Sequence, residues 1–440
     1  MPDTQDKKPK ACGWQLRLWL WLRPLLQPLM RRVLSRRLAQ GREDPARMGE
    51  KLGEATLPRP DGRLVWLHAV GLGEVMALRP LIAQMQAQAP DLRFLITSTA
   101  RSSAGVIAQN LPEGALHQFL PLDGPDFVAK FLDHWRPALS VWSEQDLWPG
   151  VICDTARRGI PLAWVNARMN AESLRKRKRL SGLYRDVMAR FSLIEAQDRD
   201  SALNLRSLGA QAVREGRSLK PAAEPLGADT AQCALMHERL AGRAVITAAS
   251  THPADEAVLI PAFRAIVARD PGALLILVPR LPARAPGIAT ALEAAGLSHI
   301  RRSQGGLPGP DTNVWLADSF GELGLWYRLA SRAFVGGAMG ETGGHNPWEA
   351  VCLGLSVLHG PNVANFARDY ADLTAAGLAQ AIPPDPTVLE AALSAPPSGS
   401  REKAEALVSS ARAALQPLAG DLVALIKAPA IKAPVTGGQP

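Results

Sequence analysis

At 440 residues the chain is too long for one hydrophobic core and long enough for two, so two domains of roughly 200 residues are expected. Its formal charge of +9 and pI near 9.7 suit an anionic partner, whether nucleic acid, a phosphate-bearing substrate or an anionic membrane surface. The four cysteines, Cys12, Cys153, Cys233 and Cys352, form no CxxC pair and have no histidine at metal-ligand spacing, which leaves no zinc signature and points to a reducing cytosol.

The first element is "WQLRLWLWLRPLLQPLMRRVLSRRL". It sets Leu18, Leu22, Leu25, Leu29 and Val33 at helical intervals, with tryptophans at 14, 19 and 21 and arginines at 17, 23, 31, 32, 36 and 37. Its uncharged apolar runs fall far short of the roughly 20 residues that span a bilayer. Apolar bulk on one side and arginines on the other predict a segment, residues 1–40, that lies on an anionic membrane surface, with a helix packed only on its own domain as the alternative. Internal arginines and the lack of a small-residue cleavage site speak against a signal peptide. Pro24 and Pro28 argue against one straight helix.

From Gly62 onward, short apolar runs alternate with amphipathic stretches, the pattern of parallel sheets with crossover helices. Strands are expected at 63–70, 93–99, 138–144, 162–168 and 193–198, and again at 244–250, 273–280, 313–318, 332–338 and 356–360. The proline-bearing stretch 215–240 is the expected hinge. The predicted fold is therefore α/β, with two Rossmann-like domains, 41–220 and 221–427, whose sheets face a central cleft, and a disordered tail at 428–440.

The expected strand ends carry the candidate chemistry. Gly71 and Gly73 form a tight turn after the first strand and place Glu74 in the first turn of a helix. A carboxylate there is either a general base or an acid favoured by the helix macrodipole. In "SEQDLWPG", Glu144 and Asp146 share one side if the chain stays extended; they either orient an acceptor or form an internal salt bridge, with Arg168 as one possible partner. The run Arg175 to Arg179 is a solvated face or a dock for an anionic acceptor or lipid headgroup; no aromatic platform accompanies it, which disfavours nucleic acid. Ser250, Thr251 and His252 end a strand of the second half and suit a phosphate or nucleotide. The stretch "GGAMGETGGHNPWEA" combines Gly336, Gly337, Gly343 and Gly344 with Asn346 as helix cap, Pro347 at the first helical position and Glu349 one turn in. Amides at such a helix start bind phosphate. Glu349 either accepts ribose hydroxyls or closes a capping box with Asn346.

These motifs, from "ARMGEKLG" through "HAVGLGE", "EQDLWP", "VNARM", "AQDRDSA", "SLK", "ASTHPADE", "LILVPRLP" and "DSFGELGLWYRLASRAFVGG" to "GGHNPWEA" and "GPNVANF", resemble in order those of the 3-deoxy-D-manno-octulosonic acid (Kdo) transferases, membrane-bound glycosyltransferases of the GT-B type. The resemblance implies inverting transfer of Kdo from CMP-Kdo to a lipid A precursor in lipopolysaccharide biosynthesis, at the cytoplasmic face of the inner membrane, with no metal or other cofactor. It implies Glu74 as the base. Ser218, Lys220, Ser250, Thr251, His252, Pro279, Arg280, Gly337, Gly343, Gly344, His345, Asn346, Glu349 and Asn365 would form the donor site, and Gly71, Gly73, Glu144, Asp146 and Arg168 the acceptor side. The family usually has serine at Gly71, glutamate at Asp146, asparagine at Gly150, histidine at Leu281 and glycine at Arg217. Other readings are a different nucleotide-sugar transferase or epimerase, a non-catalytic membrane-associated module that binds a phosphorylated ligand, and, more distantly, a nucleic-acid binder.

Overall fold

A computed structural model describes residues 12–99, 101, 111–112, 114–396 and 400–427. The expected disordered tail and the first eleven residues of the N-terminal segment lie outside the described residues. Two compact units divide the chain, one of Met1–Ala222 with Ala411–Pro440 and one of Ala223–Ser410. The boundary falls inside the stretch expected to be the hinge.

The first unit is a seven-stranded parallel sheet of order β3-β2-β1-β4-β5-β6-β7, built from β1 (Arg63–His68), β2 (Leu92–Ser98), β3 (Ala115–Phe119), β4 (Leu139–Ser143), β5 (Leu162–Ala167), β6 (Leu193–Ala196) and β7 (Val213–Glu215). A strand buried on both faces needs a continuous apolar run. β1 shows why: Leu64 and Trp66 enter one core and Val65 and Leu67 the other, on opposite faces of the pleat. The second unit repeats the plan in the order β10-β11-β9-β8-β12-β13-β14. Its strands are β8 (Val245–Thr251), β9 (Leu274–Pro279), β10 (His299–Arg301), β11 (Val314–Leu316), β12 (Arg332–Val335), β13 (Val357–His359) and β14 (Ala379–Ala381). Two parallel, doubly wound sheets are the fold the sequence predicts.

All ten expected strands are present. The four that were not foreseen, β3, β7, β10 and β14, are the four edge strands. Each is short or half exposed, so it lacks the continuous apolar run that marks an interior strand.

The last helix departs from expectation. Gln416–Lys427 belongs to the first unit, not to the 221–427 domain drawn from sequence. Leu415, Leu418, Leu422 and Val423 join the core over α2 (Leu72–Gln88), beside Leu78, Leu81 and Met85. Its helical apolar spacing predicts a helix but not which sheet receives it.

At the other end, α1 (Trp14–Ala39) runs as one continuous helix through Pro24 and Pro28, the prolines that argue against a straight one. An interior proline costs a helix about 3 kcal/mol; docking of one face of α1 on the first unit outweighs it. Leu16, Arg23 and Leu34 are buried on that face. Arg23 donates from Nε to the Asp123 carbonyl at 2.8 Å and from Nη1 to Asp154 at 2.9 Å, with its Nη2 3.2 Å from the Asp123 carboxylate. The opposite side exposes Trp14, Leu18, Trp21, Leu25, Leu29 and Val33. Among the described residues no helix is long and apolar enough to cross a membrane.

Candidate active site

In the first unit the loop after β1 turns at Gly71 into α2. Neither Gly71 nor Gly73 is needed for space, since a Cβ on either would meet nothing within 4 Å, and Gly71 has an ordinary extended backbone with φ −125°. Glu74 Oε2 accepts the Val70 amide at 2.8 Å, so the carboxylate caps its own helix entry. It does more than cap. Burial, then the charge of Glu144, raise its pKa to about 7, against the Val70 hydrogen bond and Lys220.

Glu144 and Asp146 do not lie on an extended chain. Glu144 follows β4 with φ 60°, and Asn166, near the end of β5, has φ 50°. Both are non-glycine residues in the left-handed region, a strain that persists only where the surroundings hold it. Asn166 Nδ2 donates to Glu144 Oε1 at 3.0 Å, Lys220 Nζ lies 3.2 Å from the same oxygen, and Trp164 Nε1 donates to the Glu144 carbonyl at 2.8 Å. The ion pair of Glu144 is thus with Lys220. Arg168, at the end of β5, meets Glu144 through its backbone amide, which donates to the Glu144 carbonyl at 3.4 Å. Asp146 Oδ2 accepts Trp148 Nε1 at 2.9 Å and lies 3.2 Å from His68 Nε2. Burial would raise the Asp146 pKa, but the hydrogen bonds from His68 and Trp148 bring it below its ordinary value. Two carboxylates held charged or paired thus stand beside one held near neutrality. His68 and Asn166 were missed from sequence because each reads as one polar residue in an apolar strand.

The "SLK" segment falls in the first unit, with Lys220 on Glu144 and the Ser218 hydroxyl accepting the Lys220 amide at 3.3 Å. The resemblance assigns it to the donor side; its place here is next to Glu74.

In the second unit β8 ends at Thr251, with Ser250 at φ 57° and a register slip against β9 between Ala249 and Thr251. Thr251 Oγ1 donates to Glu256 at 3.0 Å. His252 caps the helix Pro253–Arg269, its amide donating to Asp255 Oδ2 at 2.8 Å. The Asp255 carboxylate, fully buried, also accepts the amides of Gly337 at 2.7 Å and Met339 at 3.1 Å, and so ties the end of β8 to the glycine loop. No sequence signal set it apart from an ordinary first-turn acid. Pro279 ends β9, and the Arg280 amide donates to the Thr251 carbonyl at 3.0 Å.

The glycine loop is close-fitted. Gly337, Gly343 and Gly344 have φ of 78°, 89° and 80°, and a Cβ on Gly337 would lie 2.7 Å from the His345 ring. Asn365 clamps the loop, its amide donating to the Gly343 carbonyl and its Nδ2 to the Thr342 carbonyl. Among the described residues the amides of Gly343 and His345 make no hydrogen bond. His345 Nε2 lies 2.9 Å from His252 Nε2, the rings stacked at 8°. Burial, then His252 and Arg280, lower the His345 pKa to about 4, so the His345 ring is neutral at pH 7.

The helix expected after this loop is a single turn, Trp348–Val351, capped at Pro347 rather than Asn346. Asn346 Oδ1 accepts the Trp348 amide at 3.2 Å, while Asn346 Nδ2 lies 3.5 Å from Glu349 Oε1, too long for a strong cap. One turn carries little macrodipole, so any anion binding here rests on the loop amides. Burial raises the Glu349 pKa to about 7, against Asn346 and Arg280.

Two Rossmann-like units, each a parallel, doubly wound sheet, define the GT-B fold class. In solved structures the fold matches the UDP-GlcNAc 2-epimerase of Neisseria meningitidis, with a TM-score of 0.52 and 11% identity, over 83% of this chain and 100% of that one. It also matches a putative UDP-N-acetylglucosamine 2-epimerase of Listeria monocytogenes, with a TM-score of 0.53 and 13% identity, over 83% and 96% of the two chains. A sequence profile described as 3-deoxy-D-manno-octulosonic-acid transferase (kdotransferase) matches residues 46–223. Proteins named 3-deoxy-D-manno-octulosonic acid transferase are 33% identical in Rickettsia bellii, over 79% of this chain and 83% of the relative, and 35% identical in Bordetella pertussis, over 86% and 87%. The chain belongs to the 3-deoxy-D-manno-octulosonic acid transferase family and is a glycosyltransferase.

Proposed function

We propose that this enzyme moves Kdo from CMP-Kdo to a hydroxyl of a lipid A precursor, lipid IVA, in lipopolysaccharide biosynthesis. Glu74 is the base that takes the proton of the attacking hydroxyl; the displaced CMP phosphate is held by amides of the glycine loop, without a metal. One displacement with one base inverts the anomeric centre. The observation that carries this reading is Glu74 itself, ionising near 7 beside the charged and paired Glu144 and Asp146, in a chain whose relatives bear the name of this activity. A base whose pKa matches the working pH is half ready and still basic enough to accept a proton.

Glu349 accepts the ribose hydroxyls and the His252–His345 pair faces the donor phosphate. The exposed apolar stripe of α1, interleaved with Arg17, Arg32 and Arg36, supports seating on the cytoplasmic face of the inner membrane. The test is incubation with CMP-Kdo and tetra-acylated lipid A precursor, followed by mass analysis of the lipid. A gain of one or more Kdo masses is expected. Unmodified lipid alongside an active control enzyme would remove the acceptor assignment, and intact CMP-Kdo with every acceptor tried would remove the donor assignment as well.

A further inference from the structure

The buried arginine of α1 reaches further than the docking of its own helix. Arg23 is 2% exposed and grips the helix Pro149–Arg157 at two points, through Asp123 at its start and Asp154 one turn in. That start needs outside help. Pro149 at the first helical position has no N–H, the N-cap residue Trp148 makes no side-chain cap, and the buried amides of Gly150 and Val151 have no partner within the helix. Asp123, from the loop after β3, accepts both, Gly150 at 3.0 Å on Oδ2 and Val151 at 2.8 Å on Oδ1. An acid from elsewhere in the chain thus serves as the cap. Trp19 of α1 donates to the same carboxylate from Nε1 at 3.3 Å. Two side chains of α1 therefore hold the one group that holds the start of this helix.

Without its arginine, Asp123 would be a poor cap. Burial pushes its pKa up, against Arg23 first and then Gly150, Trp19 and Val151, and only the ionised carboxylate accepts freely at both oxygens. Gly150 leaves the room for this: a Cβ there would lie 2.1 Å from the Arg23 guanidinium. What the helix start carries is the acceptor side of the site. Trp148, its N-cap residue, donates from Nε1 to Asp146 Oδ2 at 2.9 Å. Asp146 stands close enough to Glu74 for its charge to add, after burial and Glu144, to the rise in the Glu74 pKa. From Arg23 to Asp146 each link is a hydrogen bond, an ion pair or one or two residues of backbone.

We propose that Arg23 is a positioning residue for the transfer reaction: through Asp123 and the start of the helix Pro149–Arg157 it sets where Trp148 and Asp146 stand beside Glu74. The proposal rests on the acceptor reading above and adds a buried residue on which the acceptor loop is built. The helix whose exposed face offers Trp14, Leu18, Trp21 and Leu25 to a lipid surface is thereby the helix whose buried face fixes the loop for a lipid-borne hydroxyl. The donor cradle lies in the second unit; every residue of this linkage lies in the first.

The test compares Arg23→Met, Arg23→Lys and Gln27→Ala in the full chain by steady-state transfer, CMP calorimetry and hydrogen exchange of the segment 144–152. Gln27 docks α1 on Asp126 instead, donating to its carboxylate at 2.8 Å and accepting its amide at 3.0 Å, so Gln27→Ala loosens α1 without removing a contact to Asp123. Arg23→Met is expected to speed exchange of the Gly150 and Val151 amides by about tenfold or more. It should lower kcat/KM for the lipid acceptor by about tenfold to hundredfold, the scale of a site displaced by about 1 Å. The Kd for CMP should stay within about twofold, as expected of a distant, independent site. Arg23→Lys keeps the charge without the forked reach and should fall between Arg23→Met and wild type; it decides by the same measurements if Arg23→Met does not fold. Gln27→Ala should leave exchange at 144–152 and kcat/KM within about twofold of wild type, even where the melting temperature falls. An equal loss in Gln27→Ala, or a loss of CMP affinity in step with kcat/KM, overturns the proposal, since either would reduce Arg23 to general stability. A wild-type chain that binds CMP and modifies no lipid overturns the acceptor reading and the proposal with it; a wild type that transfers Kdo, with exchange and kcat/KM unchanged in the Arg23 variants, overturns the proposal alone.

Discussion

The loops after β1 and β12 look alike in sequence, each a glycine turn between a strand and a glutamate-bearing helix, yet the structure uses them differently. The Gly71–Glu74 loop is roomy: a Cβ at Gly71 or Gly73 meets nothing, a 17-residue helix follows, and the polar work is done by side chains. The loop through Gly337 and Gly344 is tight, with left-handed glycines against neighbouring atoms, a one-turn helix, and backbone amides as its polar groups. A glycine turn thus yields an open loop in one unit and a close-fitted one in the other. Glycine signals room in the first and necessity in the second.

The comparison breaks most sharply at Glu74. Glu74→Gln keeps the side-chain shape and the oxygen that caps Val70, and should lower kcat by about 10²- to 10⁴-fold with CMP binding retained, since a general base contributes on that scale. Steady-state transfer assays beside calorimetry check it. Loss of CMP binding in parallel would mean that the substitution had disturbed the fold.

Gly150 tests the second meaning of glycine within the first unit. A Cβ there would lie 2.1 Å from the Arg23 guanidinium and 2.4 Å from Asp123. The asparagine usual in the family is therefore excluded here by a buried arginine, and the departure concerns how α1 docks. Gly150→Asn should cost about 3–5 kcal/mol, the scale for breaking a buried ion pair, seen as a fall in melting temperature. Gly337→Ala should cost about 1–2 kcal/mol through its left-handed backbone, and by displacing His345 should raise the CMP-Kdo KM more than it lowers kcat. Smallest of all, Gly71→Ser restores the usual family residue in open space and should leave melting temperature unchanged within error; a clear destabilisation would show that the loop is not roomy.

How much of this was legible in the chain divides along physical lines. Interior strands announce themselves because burial on both faces demands uninterrupted apolar runs, as in β1 and β8. Edge strands β3, β7, β10 and β14 do not, and the helix Gln416–Lys427 could be recognised but not assigned to a unit, because its partner lies over 300 residues away in α2. Glu74 and the glycine loop stood out through turn chemistry and the family resemblance. Their supports, Asn166, His68 and Asp255, did not: Asn166 and His68 work by long-range hydrogen bonds, and the local cap that Asp255 makes with His252 gives no sign of its reach to Gly337 and Met339. The left-handed backbone of Glu144 also had no signal: nothing in "WSEQD" forces a glutamate to positive φ, and the partners that meet it there, Asn166, Lys220, Trp164 and the Arg168 amide, are distant in sequence.

The central claim is that Glu74 is a base kept near neutrality by burial and by the charge of Glu144. A carboxylate accepts a proton only when ionised, so with its pKa raised to about 7 the rate should climb as pH rises through 7 and level off above. The decisive measurement is the pH dependence of kcat/KM for the wild-type chain and for Glu144→Gln. An acid limb near pH 7 that moves to lower pH when the neighbouring charge is removed is the predicted result; a limb near the ordinary 4.5 of glutamate, or one that Glu144→Gln leaves in place, would contradict it.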